Sequence, residues 1–125
     1  MSRLLLVGIG GACGAILRYL TTFVAGRVLG AGYPYGTLIV NLVGCLLIGL
    51  AVGWTVDGRT GLGDSARLLL VTGLLGGLTT FSSFGLEAVE LLRAGRPAAG
   101  IGYVLANVVL GLAAALIGLS GAPGR

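Results

Sequence analysis

The sequence predicts an all-α integral membrane fold of four transmembrane helices, the third of them broken. The 125 residues are 56% hydrophobic and only 10% charged, whereas a soluble domain carries about 25% charged residues. Mean hydropathy is +1.05. Four apolar stretches are each long enough to cross a bilayer, which takes about 20 helical residues. Eight basic and four acidic side chains could not clothe a water-soluble surface of this size, so lipid is the main solvent. The length suits one domain, residues 1–125.

The first span covers about residues 4–24, "LLLVGIGGACGAILRYLTTFV". Arg3 and the apolar run after it have the look of a secretory leader. The run is too long for one, contains Arg18 and has no convincing small-residue cleavage site, so it reads as a retained helix. The linker "AGRVLGAGYP" leads to the second span at about 35–54, "YGTLIVNLVGCLLIGLAVGW". Tyr33, Tyr35 and Trp54 fall near span ends, where aromatic belts sit. "TVDGRTGLGDSAR" separates the second span from the third, about 68–91, and "LRAGRP" separates that from the fourth, about 98–120. All three linkers are rich in Gly, Pro or charge, as turns are.

Glycine occupies 25 positions. In water each would weaken a helix by about 1 kcal/mol relative to Ala; in lipid, small residues let helices approach closely. Gly10/Gly14, Gly49/Gly53 and Gly73/Gly77 have GxxxG spacing. "GIGGACG" is no dinucleotide fingerprint, since no strand precedes it and no acidic residue follows at the required distance. Cys13 and Cys45 lie singly in apolar runs, without a CxxC pair or a histidine, and read as small buried hydrophobes. All basic residues are arginines scattered singly, which argues against nucleic-acid binding.

Four spans place both termini on one side. That side receives Arg3, Arg59, Arg67 and Arg125 and the other Arg27, Arg93 and Arg96, a tally of four against three. The positive-inside rule needs a clear bias to orient a chain. Without one, either the chain inserts both ways up or something other than charge orients it. Two copies inserted in opposite senses form an antiparallel dimer with a two-fold axis in the membrane plane, the inverted-repeat architecture of many transport proteins.

Polar residues inside the spans are the candidate site. Arg18 lies about two-thirds along the first span; it either snorkels to the interface or lines an aqueous vestibule that gathers anions. Asn41 is a helix-to-helix hydrogen-bonding residue or a donor to a passing ion, and Thr37 is one turn earlier on the same side. In "GLLGGLTTFSSFG", Gly76 and Gly77 precede Thr79, Thr80, Phe81, Ser82, Ser83 and Phe84. Tandem glycines followed by hydroxyl residues make poor uninterrupted helix. A break in mid-span is tolerated only where it is buried in protein or lines a cavity, and carbonyls freed at a two-fold axis could converge on one cation. Phe81 and Phe84 share a face, and phenyl edges carry partial positive charge that can attract a small anion. Tyr103, Asn107 and Gly111 form one stripe on the fourth span, either a polar track or ordinary packing.

"GGACGAILRY", "GTLIVNLVGCLLIG" and "GLLGGLTTFSSFGLE" together resemble the Fluc (CrcB-type) fluoride channel family, over essentially the whole chain. The resemblance implies a dual-topology antiparallel homodimer, or a heterodimer with a homologue, in the cell inner (plasma) membrane. It implies two fluoride pores and a central structural sodium ion (Na+). The sodium would be held by the backbone carbonyls of Gly76 and Thr79, with Gly77 and Thr80 as the alternative register. By the same resemblance Phe81, Phe84 and Asn41 line the pore and Arg18 the vestibule. Ser82, Ser83 and Tyr103 extend a hydroxyl track, and Glu87 with Thr37 forms a polar pair near the pore mouth. Relatives often carry serines where Asn107 and Gly111 stand here, and threonine at the second serine of "FSSF".

The implied activity is passive, electrogenic fluoride efflux that confers fluoride resistance. The chain has no P-loop that would supply energy. The alternative is a small dual-topology multidrug-type exporter, which needs an acid in the first span; here that span carries Arg18 and no acid. A membrane enzyme lacks His, Lys or a mid-span carboxylate for general acid–base work.

Overall fold

The computed structural model describes residues 2–56 and 62–121. Four helical segments among them are long and apolar enough to cross a membrane. The first is helix α1 (Arg3–Val28) and the second α2 (Tyr35–Val56). The third comprises α3, residues 64–78, and α4 (Phe81–Arg93). The fourth is α5 (Pro97–Ser120). No strand occurs among the described residues. Residues 57–61 and 122–125, with Arg59 and Arg125 of the charge tally, lie outside them.

Helix ends follow local chemistry. Gly30 (φ 91°) and Gly95 (φ 72°) take the left-handed conformation just past α1 and α4, the usual role of glycine after a helix C-terminus. Pro97 opens α5 at a position where its missing N–H costs nothing. α1 runs beyond the apolar stretch through Gly26 and Arg27, whose guanidinium lies 4.5 Å over the Phe23 ring.

Glycines set two close helix pairs. A Cβ added at Gly10 would stand 2.1 Å from the Leu69 carbonyl oxygen, and one at Gly14 2.1 Å from that of Leu74. α1 and α3 therefore touch backbone to backbone. The α2–α5 pair is equally tight, with a Cβ at Gly49 only 2.3 Å from the Ala115 oxygen and one at Gly118 only 2.2 Å from that of Leu46. Such contact is how helices associate where lipid removes the hydrophobic drive between them.

Two helices are wound more widely than an α-helix in part of their length, Leu68–Leu75 within α3 and Ala106–Leu110 within α5. Such i→i+5 turns are frequent at functional sites. The third span is not continuous helix: α3 ends at Leu78, and Thr79 (φ −82°, ψ 155°) and Thr80 (φ −152°, ψ 123°) are extended before α4 begins. Thr80 is the N-cap of α4, its hydroxyl accepting from the Ser83 amide at 3.2 Å.

One buried cluster joins Phe84, Ala88 and Leu91 of α4 to Tyr103 of α5, and a second joins Val40 of α2 to Leu75 and Leu78 of α3. Large apolar side chains elsewhere on all four spans stay exposed, as they must against acyl chains.

Candidate ion pathway

The Thr79–Thr80 segment is held from α2. Asn41 Oδ1 accepts from the Thr80 amide at 3.0 Å, and Asn41 Nδ2 donates back to the Thr80 carbonyl at 3.2 Å. The side-chain amide thus pairs with both main-chain groups of one extended residue, as a neighbouring strand would. Asn41 Nδ2 also donates to Asn107 Oδ1 at 3.0 Å, and Asn107 Nδ2 donates to the Tyr103 carbonyl at 3.0 Å. Both amide hydrogens of Asn41 therefore meet protein acceptors, which is the helix-to-helix bonding that was one of its two sequence readings. Thr37 does not join this network. It is buried and donates to Glu87 Oε1 at 2.8 Å, while the fully buried Tyr103 donates its hydroxyl to Glu87 Oε2 at 2.6 Å.

The carbonyls where α3 stops fall into two groups. Arg18 Nε donates to Gly77 O at 3.2 Å, and Thr80 O accepts from Asn41. Gly76 and Thr79 differ. The amides that would serve their carbonyls in a continuous α-helix are those of Thr80 and Ser83, and these turn to Asn41 Oδ1 and to the Thr80 hydroxyl instead. The Thr79 hydroxyl itself donates to Leu75 O at 3.0 Å. Its methyl lies so close to Gly44 of α2 that a Cβ there would stand 2.1 Å away.

The two phenylalanines meet but differ in surroundings. Their ring centroids are 5.4 Å apart, yet Phe84 is 8% exposed and Phe81 83%. Phe84 in turn lies 5.6 Å from the Tyr103 ring, which meets Tyr33 edge-on at 5.5 Å. Burial, and secondarily Tyr35, push the Tyr33 phenol above its ordinary range, so it stays neutral at physiological pH. Ser82 and Ser83 gather on the Thr80 hydroxyl, at 3.3 and 3.2 Å.

Three neighbouring cavities lie against these groups. One of about 520 Å³ lies at the α1–α2 loop and includes Thr22, Tyr33, Glu87, Glu90 and Arg96. It shares Thr22 and Glu87 with a crevice of about 300 Å³ that also touches Arg18, Thr37, Thr80 and Ser83. That crevice shares Thr80 with a third cavity, about 400 Å³, lined among others by Asn41, Gly76, Thr79, Phe81, Phe84 and Asn107. Every singled-out site residue except Gly111 thus borders a cavity or bonds to one that does. Gly111 packs near Cys45, where a Cβ would stand 3.5 Å from Sγ.

Sequence reasoning missed Thr22 and Gly44. Gly44 was legible in principle, lying three residues after Asn41 on the same face. Thr22 had no signal beyond being a hydroxyl one turn after Arg18.

A small polytopic membrane protein whose cavities are bordered by polar side chains within its spans is the class that this fold and site define. The family model described as "CrcB-like protein, Camphor Resistance (CrcB)" matches residues 5–119. The chain belongs to the CrcB family. It is 47% identical over 119 residues, 95% of this chain and 94% of the relative, to a protein of Chloroflexus aurantiacus named fluoride-specific ion channel FluC. Proteins of the same name from Hyphomonas neptunium (46% over 119 residues, 95% and 94%) and Rhizobium etli (45% over 120 residues, 96% and 95%) are similar to it as well. The shared name is that of an ion channel and not of an enzyme.

Proposed function

We propose that the chain forms a fluoride-selective channel for passive, electrogenic efflux that confers fluoride resistance. The observation that carries this is near-full-length identity to proteins named fluoride-specific channels, joined to a polar, non-helical segment between cavities in the third span. The working unit is an antiparallel homodimer in the cell inner membrane with two pores. Phe81 supports it, since so exposed a ring beside Gly76 suits a second protomer. So does the balanced arginine tally, which leaves both insertions open.

Fluoride is small and strongly hydrated, and an unpaired ion in a dry interior is very costly. Close, rigid donors must therefore replace its water. Arg18 draws the anion into the crevice; the hydroxyls of Ser83 and Ser82 and the ring edges of Phe81 and Phe84 take it onward. Asn41 borders the inner cavity while holding Thr80 in place, and Tyr103, Thr37 and Glu87 complete the polar route. Chloride is too large for the same spacing.

The Gly76 and Thr79 carbonyls suit a structural sodium ion, a hard cation that takes oxygen ligands. Both border one cavity and both have lost their helical donors. The alternative register fits less well, because Gly77 O and Thr80 O already accept from Arg18 and Asn41. Held by these carbonyls, the ion would supply a fixed positive charge beside the proposed pathway.

No energy source beyond the membrane potential is needed. Hydrogen fluoride enters by diffusion and dissociates inside; 100 mV then drives the anion out with about 2.3 kcal/mol, roughly fiftyfold in concentration. Purified protein in liposomes should release fluoride electrogenically and retain chloride. Equal release of the two anions overturns the selectivity, and release of neither overturns the function.

A further inference from the structure

We propose that Asn107 is a positioning residue: it fixes the orientation of the Asn41 amide and thereby holds Thr80 in its extended conformation. In its link to conduction the inference rests on the channel reading above; in its structural content it does not.

The hydrogen-bond polarity dictates the arrangement. A main-chain N–H can only donate, so the Thr80 amide requires Asn41 to present Oδ1 to it. Nδ2 must then face the other way, toward the Thr80 carbonyl and α5. At that place Asn107 offers Oδ1, 3.0 Å away. Asn107 can offer oxygen only if its own Nδ2 points elsewhere, and that nitrogen donates to the Tyr103 carbonyl one turn earlier. Each amide thus has one self-consistent orientation, transmitted from a carbonyl of α5 through two side chains to the extended residue of the third span.

The backbone of α5 is adapted to this. Its wide winding begins at Ala106, whose amide is shared between the Gly102 and Tyr103 carbonyls. The Asn107 side chain bonds one of them. A serine at this position would be one heavy atom too short to bridge Asn41 and the Tyr103 carbonyl in the same way. The opposed amide pair thus immobilises the segment next to Phe81.

The test is amide hydrogen exchange of the full-length protein in lipid nanodiscs, read with fluoride release from liposomes. Asn107→Leu keeps the volume and removes both hydrogen bonds. Exchange should speed up by about tenfold at Thr80 and its neighbours alone, the scale of losing one bond to a partly buried amide. Fluoride release should fall by a similar factor. Asn41→Ala should do at least as much, and Asn41→Ala combined with Asn107→Leu no more than Asn41→Ala by itself, because coupled residues are non-additive. Unchanged exchange at Thr80 overturns the proposal. So does faster exchange spread over all helices, which marks a packing role, or a double variant showing the sum of both losses. If Asn107→Leu does not assemble, Asn107→Ser is measured against the same criteria. Faster exchange at Thr80 in a protein that passes no fluoride leaves the positioning role standing and sinks the channel reading.

Discussion

Thr80 ties the start of α4 to α2 through bonds to three side chains, those of Asn41, Ser82 and Ser83. Its amide and carbonyl bind Asn41, and its hydroxyl caps α4. Thr80→Ala removes the cap while leaving the backbone pairing. It should destabilise the protein by about 1 kcal/mol, seen as a lower midpoint in thermal unfolding in detergent. Thr80→Ser keeps the hydroxyl and should lie near the parent. Phe81 is the opposite case: so exposed a ring contributes little to the protomer's core. Phe81→Ile should suppress fluoride release in liposomes and leave the elution of the proposed dimer on size exclusion unchanged. Loss of the dimer would instead make Phe81 an assembly residue. The chemical types at these positions were legible from "GLLGGLTTFSSFG". The bonds were not, because Asn41 and Thr80 are 39 residues apart in sequence and Asn41 and Asn107 are 66 apart. Composition announces that hydroxyls and amides need partners but never which ones.

At the scale of the element, the glycine contacts give a sharp contrast. A side chain at Gly14 would meet the Leu74 carbonyl at 2.1 Å, whereas one at Gly8, on the same helix, would meet nothing within 4 Å. Gly14→Val should sharply reduce the yield of folded protein extracted from membranes, by overpacking and the loss of backbone contact. Gly8→Ala should be tolerated, and should slightly stabilise α1 through its higher helix propensity. The four spans themselves were readable because apolar runs of that length have few other uses. The Gly10/Gly14 and Gly73/Gly77 spacings read as packing faces do meet each other, with a Cβ on Gly73 only 2.9 Å from the Gly10 Cα. The wide windings in α3 and α5 left no trace in the hydrophobic pattern. Their sequences, LLLVTGLL and ANVVL, carry one polar residue each, too few for a drift in period to show.

At the scale of the whole molecule, the balanced arginines and the bare Phe81 lead to one prediction. A cysteine placed at the exposed Arg93 and treated with a membrane-impermeant maleimide on intact cells should react in about half the copies if the chain inserts in both orientations. Labelling of all or none would show a single orientation and exclude the antiparallel homodimer. The glycine-sealed helix pairs carry a further consequence. α1 with α3, and α2 with α5, are welded through their main chains, so neither partner of a pair can roll or slide without driving atoms into each other. A passage between two such slabs would owe its size to how the slabs sit together and to side chains such as the Phe81 ring. The channel proposed above would therefore separate fluoride from commoner anions by its dimensions rather than by rearrangement inside either pair.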